Sequence, residues 1–284
     1  MTKTAFLLLL PLLGQDPAVR ELRDLPYYEG PDADLQKHKL DLYLPEGASK
    51  APVLMWIHGG AWKSGDRALY AEIGRRFAEE GVAFAAISYR LSPKVQHPAH
   101  IEDCARAFAW LHAHVAEHGG DPDRLFVSGQ SAGGHLSALL ALDPRWLRAR
   151  GVPDDALKGT IPMSGVYSIP ALPADARGLM SMFPGAFGSD PAACRDASPL
   201  THVAGLSAPM LVITETEDAA FLRGGMQLLR AAGIRADVKD LRFIDAEHRN
   251  HFSIVIGLAR KSGDPQRSAM LDFVRRRCLA LVTK

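Results

Sequence analysis

The stretch Leu125 to Leu142, LFVSGQSAGGHLSALLAL, decides the fold that the sequence predicts. It opens with an apolar run of strand type and closes with a stretch of helical spacing. Between them lies the pattern G-x-S-x-G, formed by residues 129–133, in the strand-turn-helix setting that this pattern requires. Glycines on both sides permit a strained turn that lifts a serine hydroxyl clear of the backbone. We therefore predict that Ser131 is a nucleophile.

Strand-like runs and helical stretches alternate on both sides of this motif. Apolar strands joined by helices are typical of a mostly parallel sheet with helices on its faces. The sequence thus predicts an α/β protein, with a single domain over residues 15–284. The predicted strands cover residues 40–44, 53–57, 82–87, 125–127, 161–163 and 210–213, and the predicted helices cover 67–80, 101–118, 132–142 and 221–232.

The segment 166–199 breaks the alternation. It contains five prolines with scattered Met and Phe, and neither period is clear. A segment of this length predicts a small lid rather than a plain connector. Trp62, Phe183 and Phe187 are candidate substrate-binding residues, and Met180 and Met182 are further candidates to line the same pocket. Core packing explains each of these five residues singly at least as well.

A second motif, His58-Gly59-Gly60-Ala61-Trp62, follows the strand-like run 53–57. Attack on a carbonyl group concentrates negative charge on its oxygen, and fixed backbone N–H groups stabilise that charge. A motif of this type supplies such groups in esterases and lipases. We expect the oxyanion hole to be formed by the N–H groups of Gly60, Ala61 and Ala132.

A serine nucleophile also needs a base, which is expected late in the chain. His251 lies just before the helical run 252–259, and Phe252 can anchor its loop in the core. His251 is therefore the predicted base, with His248 as its competitor.

The base in turn needs a carboxylate. The strand-like run 210–213 is followed by the sequence Thr-Glu-Thr-Glu-Asp at 214–218. Glu217 falls where this loop is expected to turn away from the sheet, and it is the predicted acid. Asp218 is the alternative, and Glu215 is a third choice.

Composition and charge narrow the range of partners. Thirty-three Lys and Arg oppose 32 Asp and Glu, so the net charge of +1 provides no field to hold a nucleic acid or an anionic membrane. No apolar stretch approaches the roughly 20 residues that span a bilayer. We expect a small-molecule partner, no nucleic acid and no membrane span. The sequence leaves the oligomeric state open.

No pattern in the sequence indicates a cofactor or a metal. The three cysteines show no paired metal-binding spacing. His114 and His118 lie four apart on a predicted helix, but no acidic residue completes a site, and a solvated helix face explains them better. We therefore predict that the chemistry needs neither.

Several motifs in order give the chain a family resemblance from about residue 40 to its end. They are HGGAW at 58–62, SYRLSP at 88–93, GGDPDR at 119–124, GQSAGGHL at 129–136, ASPL at 197–200 and NHFSIV at 250–255. The chain resembles α/β-hydrolase-fold carboxylesterases of the group that includes hormone-sensitive-lipase-like esterases, isoprenylcysteine methylesterases and arylformamidases. The resemblance implies an α/β-hydrolase fold and a Ser/acid/His triad, with the acid at Glu217.

The expected activity is hydrolysis of small carboxylic esters, with short-chain acyl or aryl groups, through an acyl-enzyme on Ser131. The alternative is an amidase of the arylformamidase type acting on N-formylkynurenine, because His58 is followed by two glycines rather than three. A non-catalytic binding protein of the same fold is less favoured, since a serine, a carboxylate and a histidine are all present.

The amino terminus predicts export. Lys3 precedes the apolar run 5–13, which ends at Gly14 and is too short to span a bilayer. Residues 1–14 are therefore expected to be a signal peptide of a secreted or periplasmic protein. The alternative is a helix that packs on the body of a cytoplasmic protein.

Overall fold

The computed structural model describes residues 18–282, so the predicted signal peptide lies outside the described residues. Within this described range, eight strands form one sheet, in the order β1-β2-β4-β3-β5-β6-β7-β8. The strand β2 runs antiparallel to β1 and β4, and the other neighbours are parallel. The strands are β1 Val19–Pro26, β2 Lys39–Pro45, β3 Ala51–Ile57, β4 Ala83–Ile87, β5 Gly120–Gln130, β6 Leu157–Met163, β7 Met210–Glu215 and β8 Leu241–Ala246.

Helices cover both faces of the sheet. Residues of α2, α3 and α7 pack into one apolar core, and residues of α1, α8 and α9 pack into a second core on the opposite face. The helices are α1 Ala71–Glu79, α2 Ala99–His114, α3 Ala132–Leu142, α4 Arg145–Arg148, α5 Met182–Phe187, α6 Pro191–Asp196, α7 Ala220–Arg235, α8 Ser253–Leu258 and α9 Pro265–Val282. Burial of both faces explains why the central strands read as continuous apolar runs.

The predicted α/β fold is confirmed. Each of the six predicted strands lies within an observed strand or overlaps one, and α3 begins and ends at the predicted residues. The two strands that the sequence did not indicate, β1 and β8, lie at the edges of the sheet. Neither carries a buried apolar run, because most of their side chains are only partly buried or exposed.

The segment between β6 and β7 packs against the body of the protein. Its short helices α5 and α6 bury Phe183, Phe187 and Cys194. The N–H of His97 donates to the carbonyl oxygen of Ala186 at 2.8 Å, which ties this segment to the loop before α2. The function of residues 166–199 as a lid stays a prediction.

Within residues 18–282, the model contains no helix that combines the length and the apolar character needed to cross a membrane.

Candidate active site

Ser131 occupies the tight turn between β5 and α3. Its backbone is strained, with φ at 58° and ψ at −117°. The neighbouring glycines are needed for close packing, because a Cβ on Gly133 would lie 1.9 Å from the carbonyl oxygen of Ile57, and one on Gly129 would lie 2.6 Å from the same oxygen. The turn therefore presses against the end of β3 and holds the Ser131 side chain at the carboxyl edge of the sheet.

The loop after β3 also has unusual backbone geometry. Gly60, Ala61 and Trp62 follow one another with positive φ angles of 115°, 52° and 58°. Buried His58 stabilises the start of this loop, since its Nδ1–H donates to the carbonyl oxygen of Gly59 at 2.7 Å. Burial lowers the pKa of His58 to about 4, so its imidazole is neutral at physiological pH.

A hydrogen-bonded chain joins this loop to α3 and to the segment after β6. The indole Nε1–H of Trp62 donates to Nδ1 of His135 at 3.2 Å, and Nε2 of His135 donates to the carbonyl oxygen of Ala197 at 2.7 Å. Burial lowers the pKa of His135 to about 3. The neutral imidazole of His135, in a single tautomer, therefore links the loop after β3, helix α3 and the segment after β6 in a fixed arrangement.

The loop before α8 carries His251. The side-chain amide of Gln130, next to the serine, donates to the carbonyl oxygen of His251 at 3.0 Å. The Asn250 side chain accepts from the N–H groups of Phe252 and Ser253, at 3.1 and 2.9 Å, and so caps the start of α8. These hydrogen bonds fix the position of the histidine from both sides. Phe252 does not anchor the loop in the core as the sequence predicts, because its side chain is 74% exposed.

Two carboxylates contact the imidazole of His251. Its Nδ1 lies 3.1 Å from Oδ2 of Asp218 and 3.2 Å from Oε1 of Glu215. Glu215 is the last residue of β7 and is buried, and the hydroxyl of Ser164, just after β6, donates to its other oxygen. Asp218 lies three residues further along, in the loop before α7.

The geometry corrects the expectation that Glu217 faces the base. The side chain of Glu217 is 58% exposed, and its carboxylate lies 4.0 Å from His248, the competing histidine, which is itself 92% exposed. The physical reason is that β7 extends two residues beyond the predicted strand, to Glu215. Position 217 therefore falls at the outside of the turn, and Asp218, the stated alternative, turns back to the imidazole.

The two carboxylates change the ionisation of the histidine. Burial alone would lower the pKa of His251, but the hydrogen bonds and charges of Asp218 and Glu215 outweigh burial and raise it to about 9. Burial raises the pKa of Glu215, and the proximity of Asp218 adds to this rise, while hydrogen bonds from His251 and Ser164 oppose it. Burial also acts to raise the pKa of Asp218, but hydrogen bonds from His251 and Glu215 outweigh it and leave the pKa lowered. Asp218 thus keeps its charge to lower pH than Glu215.

These parts meet in a cavity of about 470 Å³. Its walls include Ser131, His251 and Asp218, together with Gly60 and Ala61 of the loop after β3. Ala132, the third expected oxyanion donor, is the first residue of α3, so its N–H lies at the positive end of that helix.

The three candidate substrate-binding residues occupy different places. Trp62 contributes to the wall of the Ser131 cavity, although its side chain is buried. Phe183 lines an adjoining groove. Phe187 packs behind Trp62, with ring centroids 4.8 Å apart, and belongs to the buried core. Met182, which the sequence also offers as a pocket residue, lines the cavity with Trp62, and Met180 lines the adjoining groove with Phe183.

Among the described residues, one group of side chains has the geometry of a metal site. Ligand atoms of Glu215, Asp218 and His251 all lie within 4.8 Å of one another. Three such ligands with an open position are typical of catalytic zinc. The same atoms, however, are those that a serine triad uses to orient its base.

A larger cavity lies away from the motif residues. It measures about 590 Å³, lies between β8 and α9, and includes Arg242, Asp272 and Arg276 in its walls. No residue of the motifs at 58–62 and 129–133 lines this cavity. The chemistry that the sequence predicts therefore belongs to the smaller cavity.

The strand order, the turn at Ser131 and the loops at the carboxyl edge of the sheet define an α/β-hydrolase-fold protein. The model of the BD-FAE family matches residues 40–223, more than half of the chain. The chain therefore belongs to the BD-FAE family.

Relatives and structural neighbours agree with this class. The chain is 37% identical over 179 residues to the "Probable carboxylic ester hydrolase LipM" of Mycobacterium tuberculosis, covering 60% of this chain and 42% of the relative. It is 33% identical over 230 residues to "Esterase LipQ" of the same organism, covering 74% and 53%. The chain thus spans about half the length of these relatives. Esterase B from Lactobacillus rhamnosis superposes with a TM-score of 0.74 at 23% identity, over 93% of this chain and 87% of that one, which supports the fold.

Proposed function

We propose that the protein is a serine hydrolase that cleaves small carboxylic esters, with Ser131 as nucleophile, His251 as base and Asp218 as the principal acid. The observation that carries this proposal is that all three residues line one cavity while Asp218 contacts Nδ1 of the imidazole. That contact leaves Nε2 as the ring nitrogen available to the serine hydroxyl. Glu215 provides a second carboxylate at the same nitrogen.

The mechanism proceeds through an acyl-enzyme. The Ser131 oxygen attacks the ester carbonyl carbon while Nε2 of His251 takes the hydroxyl proton. The carbonyl electron pair moves onto its oxygen, where the N–H groups of Gly60, Ala61 and Ala132 donate hydrogen bonds. The intermediate then expels the alcohol, which receives the proton from His251. A water molecule, deprotonated by the same imidazole, then attacks the acyl carbon. The bond to the Ser131 oxygen breaks, the imidazolium returns its proton to that oxygen, and the carboxylic acid and the free serine are released.

The walls of the cavity support neutral substrates. They are apolar over most of their surface, with Trp62, Met182 and Phe252 among the contributors. An apolar cavity with a few convergent polar groups is typical of a small-molecule site. The names of the relatives, carboxylic ester hydrolase and esterase, support an ester rather than another acyl compound.

Hydrolysis of p-nitrophenyl acetate tests the proposal. The wild-type protein is expected to hydrolyse the ester, and Ser131→Ala is expected to reduce the rate to the background. A fluorophosphonate should label wild-type protein stoichiometrically and the variant not at all. Failure of a folded wild-type sample to hydrolyse esters or to be labelled would overturn the proposal. Measuring kcat/KM for N-formylkynurenine in parallel compares amide cleavage with ester cleavage.

A matched pair of variants tests the assignment of the acid. Asp218→Asn is expected to lower kcat at least tenfold, because it removes the carboxylate that orients the imidazole. Glu217→Gln removes the same charge one residue away, on an exposed side chain, and should change kcat less than about twofold. A larger loss of kcat in Glu217→Gln than in Asp218→Asn would show that the loop 216–219 takes a different conformation during catalysis.

A further inference from the structure

A second, mostly apolar groove adjoins the Ser131 cavity. It has a volume of about 290 Å³ and runs between α7 and the loop after β6. Val166, Phe221 and Leu222 line both the cavity and the groove. The groove is therefore a lateral extension of the space in which the reaction is proposed to occur.

Two adjacent glycines form part of the groove floor. Gly224 and Gly225 lie inside helix α7, where glycine is the least favourable residue apart from proline. Neither is required by packing, because a Cβ on Gly224 would meet no atom within 4 Å, and one on Gly225 would first meet the backbone nitrogen of Tyr167 at 3.9 Å. Elsewhere in the same helix, a Cβ on Gly233 would lie 2.4 Å from Leu241. The pair thus keeps space open on the groove side without relieving any clash.

The outer end of the groove exposes apolar surface. Leu228, one helical turn beyond the glycines, is 52% exposed, and Phe252 at the mouth of the neighbouring cavity is 74% exposed. Leu228 continues the apolar wall of the groove outward, and a contiguous apolar surface of this kind is typical of ligand-binding grooves. No charged residue lines the groove among the residues that the structure describes.

We propose that this groove, the α7 groove, binds an unbranched aliphatic chain of the substrate ester and so gives the site a preference for medium-length chains. The proposal rests on the proposed ester hydrolase function. The chain would enter past Val166 and Phe221 and lie over Gly224 and Gly225, where a side chain on either glycine would occupy its place. The acyl part and the alcohol part of an ester can both supply such a chain, and the substrates below distinguish them.

The test compares kcat/KM for two series of esters. One series lengthens the acyl chain from p-nitrophenyl acetate to hexanoate, and the other lengthens the alcohol from ethyl acetate to hexyl acetate. Each methylene that leaves water contributes about fourfold when fully buried. Because the groove is open on one side, we expect a total preference of about tenfold for the six-carbon chain in one of the two series.

Gly225→Leu fills the α7 groove and is expected to reduce this preference to less than about twofold, because kcat/KM for the six-carbon ester falls more than kcat/KM for the two-carbon ester. Gln227→Leu places the same leucine side chain on the same helix, at an exposed position that does not line the groove, and it should retain the preference. Circular dichroism of both variants reports their folding.

Three results would overturn the proposal: no chain-length preference in either wild-type series, an unchanged preference in Gly225→Leu, or an equal loss for short and long esters in that variant. These results differ from failure of the proposed function, which would abolish Ser131-dependent hydrolysis of every ester, including the shortest.

Discussion

The pair of carboxylates beside His251 sets the pH range in which the proposed reaction runs. The imidazole must be neutral to take the proton of Ser131, and Asp218 and Glu215 raise its pKa from 6.5 to about 9. A raised histidine pKa means that the charged form persists until the pH passes that value. We therefore expect kcat/KM to rise with pH up to about 9.

Glu215→Gln is expected to shift this dependence to lower pH. The rise in the pKa of His251 corresponds to roughly 3 kcal/mol of stabilisation of the imidazolium. Glu215 supplies the smaller share, because its own pKa is raised while that of Asp218 is lowered. Loss of about one pKa unit, or ~1.4 kcal/mol, would increase the neutral fraction at pH 7 about tenfold. The variant should therefore be faster than wild type at pH 7, provided that Asp218 still orients the ring.

The assay is kcat/KM for p-nitrophenyl acetate between about pH 6 and about pH 10. The midpoint of the acid limb should fall by about one unit in Glu215→Gln and should not move in Glu217→Gln, which removes an equivalent but exposed charge. At the alkaline plateau, the Glu215 variant should be no faster than wild type, because the base is already neutral there. An acid limb that stays in place or moves upward in Glu215→Gln would refute the reasoning.

Three further predictions concern stability and metal ions. Burial lowers the pKa of His58 and His100 to about 4 and that of His135 to about 3, so the unfolded chain binds more protons than the folded protein below neutral pH. The free energy of unfolding, measured in urea, should therefore fall by about 2 kcal/mol per histidine between pH 7 and pH 5. A free energy of unfolding that does not change with pH would contradict this. In thermal unfolding, Gly133→Ala should lower the free energy of unfolding by several kcal/mol, because the new Cβ meets the Ile57 carbonyl. Gly224→Ala should instead raise the free energy of unfolding by up to about 1 kcal/mol, since its Cβ meets no atom. Equal effects of the two substitutions would be inconsistent with this geometry. Prolonged dialysis against EDTA should leave the rate of ester hydrolysis within about twofold of the untreated value. If the dialysed protein instead lost its activity and Zn²⁺ restored it, the cluster of Glu215, Asp218 and His251 would be a metal site.

The central strands and the tight turn at Ser131 were predictable because their sequence patterns have a direct physical cause. Strands buried on both faces must be apolar throughout, and the turn at Ser131 demands small residues on both sides. The edge strands β1 and β8 carry no such requirement, since solvent covers part of their side chains. Their pairing depends on neighbouring strands that lie far away in sequence.

The acid shows where a local pattern is insufficient. Three carboxylates lie within the four residues 215–218, and all of them follow an apolar run. Which one faces His251 depends on the length of β7 and on backbone contacts with a distant loop, such as the bond from the N–H of Glu217 to the carbonyl oxygen of Arg249 at 3.1 Å. Glu215, the third choice from the sequence, also contacts the imidazole, because Ser164 and His251 hold its two carboxylate oxygens from either side.

The two carboxylates differ in what supports them. Asp218 belongs to a loop, whereas Glu215 ends a strand of the sheet and is held by Ser164 at the end of the adjacent strand. Loops open locally at a lower free-energy cost than paired central strands do. When the loop 216–219 opens, for example during product release, the imidazole would therefore retain one acceptor at Nδ1. In hydrogen exchange, the amides of β7 should remain protected for longer than the amides of residues 216–219.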